Sequence, residues 1–131
     1  MKKNKKFVPV LFVLLSDVNG TAPHTLLDRV GRFLRDLSFA TKSHLACPVG
    51  IERGDNAHAH VIVQVAEDEL HRFRKKYGKF SPEKAWPRRK MAIRMWEDGH
   101  DTYGYTVRKH QSGWESVCPG QRNCRKVCSH F

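Results

Sequence analysis

The chain has 131 residues, a mass of 15.2 kDa and a formal net charge of +11 at pH 7. This length predicts one domain with a single hydrophobic core and excludes several domains within it. Because ten lysines and arginines stand against Glu83 alone between residues 71 and 94, the composition favours a polyanionic partner such as a nucleic acid backbone. A solvated basic face without a partner is the alternative.

The N-terminal segment places lysines before an apolar run over residues 7–15, as a secretory signal does. No small-residue cleavage site follows the run, and it is shorter than the roughly 20 residues that a membrane span needs. We therefore expect a basic tail over residues 1–6, followed by a central strand that is buried on both faces, with a signal peptide as the alternative.

The next elements follow one another with short connections. An apolar stripe predicts a helix over residues 25 to about 41, and alternation predicts strands over 45–52 and 57–65, joined by a Gly-Asp-Asn turn. Further along we expect a helix after Glu67, a basic loop over 81–89, a strand over 91–96 and a helix over 101 to about 110. This order predicts an α+β fold with a single antiparallel or mixed sheet and flanking helices.

The predicted hairpin brings three candidate metal ligands together. His58 and His60 alternate with Ala59 and so project to one face of their strand. With the turn centred on Asp55, Glu52 lies opposite His58 on that same face, and Gly50 lies opposite His60. Two imidazoles and a carboxylate with open coordination positions suit a catalytic divalent cation. The alternative is a half-exposed polar strand face on which the histidines are incidental.

The segment over residues 101–110 offers a nucleophile for such a site. In a helix, Tyr105 and Lys109 stand four residues apart and share a face. A phenol has a pKa near 10 and is a poor nucleophile alone, so a neighbouring ammonium group and a metal-bound phosphate would have to stabilise the phenolate. A tyrosine packed beneath a helix is the alternative.

Together, these segments resemble the HUH endonuclease superfamily, specifically the replication-initiator (Rep) branch of rolling-circle plasmids and single-stranded DNA viruses. The resemblance rests on the apolar strand over residues 10–16, the sequence His58-Ala59-His60 with Glu52 upstream, and the sequence over residues 105–109. It implies a Rep-type fold, RRM-like or ferredoxin-like, over residues 1–117. It also implies that Glu52, His58 and His60 hold Mg²⁺ or Mn²⁺.

The resemblance implies that Tyr105 attacks the scissile phosphate of single-stranded DNA at an origin or hairpin, leaving a 5′-phosphotyrosine and a free 3′-hydroxyl. Lys109 would assist this attack, although Arg108 could take that role and Tyr103 could be the nucleophile. The expected partners are single-stranded DNA, a separate helicase and the replication machinery, and the expected location is the cytoplasm of a prokaryotic host or the nucleus of a eukaryotic one. A transposase of the same superfamily and a non-catalytic nucleic-acid-binding domain remain alternatives.

Contacts with DNA phosphates are expected from the basic segment, and Trp86 or Trp96 could either stack on unpaired bases or belong to the core. The residues expected to contact DNA are Arg72, Lys75, Lys76, Lys79, Arg88, Arg89 and Lys90.

Four cysteines do not form a pattern typical of secreted disulfide frameworks. Cys47 shares a strand face with Val49 and Ile51, which predicts a buried thiol. The other three lie in a basic tail over residues 118–131, where they could bind Zn²⁺ as a Cys₃His site or remain reduced surface thiols. The candidate zinc ligands are Cys118, Cys124, Cys128 and His130.

Overall fold

A computed structural model of the chain describes residues 6–16, 23–52, 58–87, 90–96 and 114–117. Five strands and three helices are assigned within these ranges, and short 3₁₀ turns at Glu67–Glu69 and Tyr77–Lys79 flank the second helix. The elements are β1 (Phe7–Ser16), α1 (Pro23–Thr41), β2 (Leu45–Glu52), β3 (His58–Ala66), α2 (Leu70–Lys76), α3 (Pro82–Ala85), β4 (Lys90–Met95) and β5 (Trp114–Val117).

The strands form one sheet in the order β4-β1-β3-β2-β5, and every neighbouring pair is antiparallel. The fold is therefore α+β, with a single antiparallel sheet and flanking helices, and it is consistent with an RRM-like fold. This confirms the predicted fold class. Among the described residues, no helix combines the length and the apolar character needed to cross a membrane.

The core lies between one face of the sheet and the helices. Side chains alternate along β3, and its buried apolar positions Ala59, Val61, Val63 and Val65 belong to the same cluster as the apolar stripe of α1. We call this side of the sheet the helix-covered face and the opposite side the second face. The second face carries Phe12, Leu14, Ser16, Gly50, Glu52, His58, His60, Ile62, Lys90, Ala92 and Arg94, as the strand pairings require.

Helix α1 ends in a turn that also positions the start of β2. Lys42 adopts a φ of 54°, Ser43 N donates to Ser38 O at 3.2 Å, and Lys42 N donates to Phe39 O at 3.4 Å. This is the Schellman pattern, in which a residue in the left-handed conformation satisfies the last carbonyls of a helix. The helix starts at Pro23, two residues before the predicted start, with a residue whose fixed φ suits a first helical position.

Several sequence predictions need correction. β1 is central, between β4 and β3, but it is not buried on both faces, because Phe12 and Leu14 are only half-buried on the second face. Part of the predicted basic loop is helical in α3, and the edge strand β5 had no prediction. Cys47 is fully buried on the helix-covered face, as expected.

Trp86 belongs to the core, which is one of the two roles that the sequence left open for it. Its side chain is 3% exposed, its ring packs edge-on against Phe33, and its Nε1 donates to the Ser16 carbonyl at 3.1 Å. Trp96 is the more exposed of these two tryptophans and continues the ladder beyond β4, where its backbone N–H donates to Val10 O at 3.0 Å.

Candidate metal and nucleic-acid site

The pairing of β2 with β3 places the predicted metal ligands on one face. Glu52 pairs with His58 and Gly50 pairs with His60, which is the register that a turn centred on Asp55 predicts. Because side chains directly opposite in an antiparallel pair share a face, Glu52, His58 and His60 all belong to the second face. A slip of one residue would have moved Glu52 to the helix-covered face.

Glu52 and His60 are in direct contact. The Oε2 atom of Glu52 lies 3.2 Å from the Nε2 atom of His60, and the imidazole N–H donates to the carboxylate. The His60 side chain is 10% exposed, whereas that of Glu52 is 45% exposed. The pair is diagonal across the two strands, so a buried imidazole contacts a carboxylate that solvent and ligands can still reach.

The spacing of these two atoms suits a small divalent cation. With metal–ligand bonds of about 2.1 Å in octahedral geometry, adjacent donor atoms lie about 3.0 Å apart. The observed 3.2 Å is close to that spacing, so the two donors could bind one ion with little movement, once the proton between them has left. The donor types, imidazole nitrogen and carboxylate oxygen, are those expected for Mn²⁺ and are acceptable for Mg²⁺.

The third expected ligand does not complete the site in this geometry. His58 is half-buried on the same face and pairs with Glu52 across the strands. Nevertheless, within the described parts of the chain, no three His, Cys, Asp or Glu side chains are grouped closely enough to hold a metal ion.

The same face continues across β1 and β4. Ser16 pairs with His58 on one side and with Lys90 on the other, so Lys90 lies in the same transverse row as Glu52. With strands about 4.8 Å apart, three strand spacings separate the Cα atoms of Lys90 and Glu52 by about 14 Å. Lys90 is exposed, and it brings positive charge to the row of the candidate ligands.

An aromatic side chain that the sequence prediction missed lies beside His60. The ring centroids of Phe12 and His60 are 6.2 Å apart, with an angle of 32° between the ring planes. Phe12 pairs with Arg94 across the β1–β4 ladder, and Arg94 is exposed. The face that Phe12 occupies could not be predicted, because Phe12 lies within a continuous apolar run that has no alternation of polar and apolar residues.

The basic residues expected to contact DNA divide between the two sides of the sheet. α2 is anchored in the core by Phe73, so its exposed cations belong to the helical layer on the side opposite Glu52 and His60. Among the expected residues that the structure describes, only Lys90 lies on the second face. The expected cations in the helical layer are Arg72, Lys75, Lys76 and Lys79, while Arg88 and Arg89 lie outside the described residues.

Arg72 already has a structural partner. Its Nη2 donates to Glu69 Oε2 at 2.7 Å, and the backbone N–H of His44 donates to the other carboxylate oxygen at 2.8 Å. The His44 ring nitrogen Nδ1 lies 3.0 Å from that same oxygen. Since Glu69 is 8% exposed, this cluster ties the start of α2 to β2, and Arg72 contributes less free charge to the surface than its neighbours do.

The remaining predicted site residues lie outside the described residues. They are Tyr103, Tyr105, Arg108 and Lys109 of the expected nucleophile segment, and Cys118, Cys124, Cys128 and His130 of the possible zinc site.

No protein-family model, curated protein or solved structure matches the chain.

Proposed function

We propose that the protein is a metal-dependent endonuclease of the HUH type that nicks and rejoins single-stranded DNA through a 5′-phosphotyrosine and so initiates rolling-circle replication. The observation that carries this proposal is the contact between Glu52 and His60 on the sheet face that also holds His58. A carboxylate and two imidazoles in this register are the donor set that the His-Ala-His motif predicts.

Glu52 Oε2 and His60 Nε2 would hold Mg²⁺ or Mn²⁺, with His58 as the third protein ligand. When bound, the cation would polarise the scissile phosphate and neutralise charge on its oxygens. His60 must present an unprotonated Nε2 to act as a ligand.

Tyr105 would supply the nucleophile. Its phenol oxygen attacks phosphorus, the bond between phosphorus and the 3′ oxygen breaks, and the phenol proton ends on the departing 3′-hydroxyl. The reverse attack by that hydroxyl restores the phosphodiester bond and the phenol, so the same residues both nick and join. The ammonium group of Lys109 would stabilise the phenolate, with Tyr103 and Arg108 as the alternatives in these two roles.

The distribution of charge supports a nucleic acid partner. A strand that crosses the second face meets Lys90 and Arg94, which are both exposed on β4. The exposed cations of α2 lie on the other side of the sheet and act at longer range, raising the local concentration of nucleic acid. Contacts of both kinds make binding salt-dependent, since each neutralised phosphate releases counterions.

A non-catalytic nucleic-acid-binding domain is the second candidate. It is favoured by one observation, namely that His58 does not converge with Glu52 and His60 in this geometry. In that case, the contact between Glu52 and His60 would be a structural hydrogen bond, and the second face would bind a strand without cutting it.

The two candidates differ in whether a covalent adduct forms. The full chain is incubated with Mn²⁺ and a single-stranded oligonucleotide library of mixed sequence, and the products are separated on a denaturing gel. We expect a protein–DNA adduct that is lost in Tyr105→Phe and kept in Tyr103→Phe. His60→Ala should lose the adduct while keeping most of the DNA affinity, because phosphate contacts come from other residues.

His71→Ala is the matched control for His60→Ala. His71 is exposed on α2, on the other side of the sheet, so its replacement should leave adduct formation unchanged. Single-stranded DNA binding without any adduct, in Mn²⁺ and in Mg²⁺, would contradict the nuclease and support the binding domain.

A further inference from the structure

The environment of Phe12 is unusual for an apolar residue on a central strand. On one side its pairing partner in β3 is Ile62, which is 1% exposed, and on the other side its partner in β4 is the exposed Arg94. The ring itself is only half-buried. An aromatic residue that pairs with an apolar residue on one neighbouring strand and with an exposed arginine on the other offers both the stacking surface and the positive charge that a nucleotide needs.

The position of Phe12 relative to the candidate metal ligands is fixed by the sheet. Its ring centroid lies 6.2 Å from that of His60, the imidazole that contacts Glu52. Successive nucleotides in a single strand are separated by a comparable distance, so a base on Phe12 would leave an adjacent phosphate near His60. Phe12 and His60 also lie on β1 and β3, the pair with the longest ladder in the sheet, which keeps their spacing constant.

We infer that Phe12, together with Arg94, is a stacking site for one unpaired nucleobase next to the Glu52–His60 pair. This deepens the proposed function, on whose single-stranded partner it rests. The occupant is an unpaired base and not a duplex, because the faces of paired bases are covered by their neighbours in the helix. Charge complementarity supports it, since Arg94 and Lys90 are both exposed on the same face.

The test separates base contacts from phosphate contacts. Fluorescence anisotropy with the full chain compares a fluorescein-labelled dT 12-mer with a 12-mer that has abasic tetrahydrofuran units throughout, in EDTA. The wild type should prefer the dT strand. Phe12→Leu should weaken dT binding about tenfold, within the range for stacking on one aromatic side chain, and leave abasic binding unchanged. Phe12→Tyr should retain the preference.

Phe39→Leu is the matched control for Phe12→Leu. Phe39 is 57% exposed in the helical layer and has Lys42 Nζ 4.5 Å from its ring centroid, so it is also an accessible ring beside a cation. It lies on the other side of the sheet, and its replacement should not change the preference for bases. If Phe39→Leu removes that preference and Phe12→Leu does not, the inference is overturned.

A measurement on the wild type covers the case in which Phe12→Leu fails to fold. A 12-mer with 5-iododeoxyuridine is cross-linked to the protein by light, and the attached residue is identified by mass spectrometry. Attachment at Phe12 supports the inference, and attachment confined to residues of the helical layer overturns it. If Phe12→Leu changes the oligomeric state of the protein but not its preference for bases, the Phe12 ring lies in a contact between copies of the chain. That result would also overturn the inference.

The nuclease and the stacking site can fail separately. Because binding is measured in EDTA, loss of base preference in Phe12→Leu would stand even if no adduct ever formed with Mn²⁺. Conversely, adduct formation with an unchanged base preference in Phe12→Leu would remove the stacking site and leave the nuclease in place.

Discussion

Replacing Trp86 by phenylalanine tests whether this tryptophan holds the fold together or contacts nucleic acid. Trp86 Nε1 donates to the Ser16 carbonyl at 3.1 Å, and the side chain is 3% exposed. Ser16 lies in the same transverse row as His58. The hydrogen bond therefore ties the segment after α3 to the end of β1, directly beside the candidate ligands.

Trp86→Phe should reduce stability for two reasons, the loss of a hydrogen bond and the loss of packing. Removing the indole N–H leaves a buried carbonyl without this donor, which costs about 1–3 kcal/mol. The smaller ring also leaves a void against Phe33, which packs edge-on against Trp86 with 6.2 Å between ring centroids, and partial loss of a large buried side chain costs about 1 kcal/mol. We expect Trp86→Phe to lower the free energy of unfolding by about 2–4 kcal/mol.

The assay is urea denaturation followed by circular dichroism, paired with dT 12-mer binding well below the unfolding transition. Trp96→Phe is the control, because Trp96 is half-exposed and its hydrogen bond to Val10 O uses the backbone N–H, which phenylalanine keeps. It should cost less than about 1 kcal/mol. If Trp86→Phe were as stable as the wild type but lost single-stranded DNA affinity, Trp86 would contact bases and its assignment to the core would be wrong.

Three further predictions concern metal, pH and backbone conformation. Mn²⁺ at about 100 times its dissociation constant should raise the free energy of unfolding by about 2.7 kcal/mol in the wild type and in Glu83→Gln, but not in Glu52→Gln, as measured by thermal denaturation. Burial raises the pKa of Tyr77 above 10.0, so its contribution to stability is complete below that pH and is lost as the pH rises through the folded-state value. Denaturation at about pH 9 and about pH 11 should therefore show Tyr77→Phe gaining stability relative to the wild type at the higher pH. Lys42→Gly should raise stability by about 0.5 kcal/mol in urea, because relief of the left-handed backbone outweighs the lost contact with Phe39.

Each of these expectations has a contradicting result. Equal Mn²⁺ stabilisation of Glu52→Gln and the wild type would place the ion elsewhere in the chain. A pH-independent difference between Tyr77→Phe and the wild type would mean that the phenol titrates alike in the folded and unfolded states. Lys42→Ala loses the Phe39 contact without relieving the backbone, so it should be less stable than the wild type, and a gain in Lys42→Ala would refute the strain argument.

The hairpin and its register could be predicted because two independent signals agree there. In the sequence, the turn predicted at Gly-Asp-Asn specifies which residues should pair, and the alternation of His58 and His60 with Ala59 and Val61 specifies which face each should occupy; the observed pairing of β2 with β3 has that register. The contact between Glu52 and His60 was not predictable in the same way. Register specifies the shared face, whereas the diagonal contact depends on side-chain rotamers that sequence patterns do not determine.

The face of β1 could not be read from its sequence. The run over residues 7–15 is apolar throughout, and the pairing of β1 with β3 shifts between Pro9 and Leu11. This irregularity changes which positions share a face, so counting from either end of the strand gives a different assignment. As a result, Phe12 beside His60 was missed.

The side of the sheet on which the α2 cations lie could have been predicted from the sequence. The apolar positions of β3, such as Val61 and Val63, require a helical layer on their own face, and the histidines occupy the opposite one. Any helix that buries an apolar side chain such as Phe73 must therefore lie away from the candidate metal ligands. Proximity in sequence to His60 does not give the cations of α2 proximity in space.

His60 is a costly residue to place at the centre of the sheet, and this cost supports a binding role for it. It occupies a central strand position that is 8% exposed, where valine or isoleucine would pack without any polar group to satisfy. Its imidazole contacts Glu52, whose own side chain is 45% exposed and therefore accessible to a ligand. The sequence therefore places a polar residue at the centre of the sheet and a solvent-accessible carboxylate beside it. Such a break in the apolar pattern is expected at a binding site.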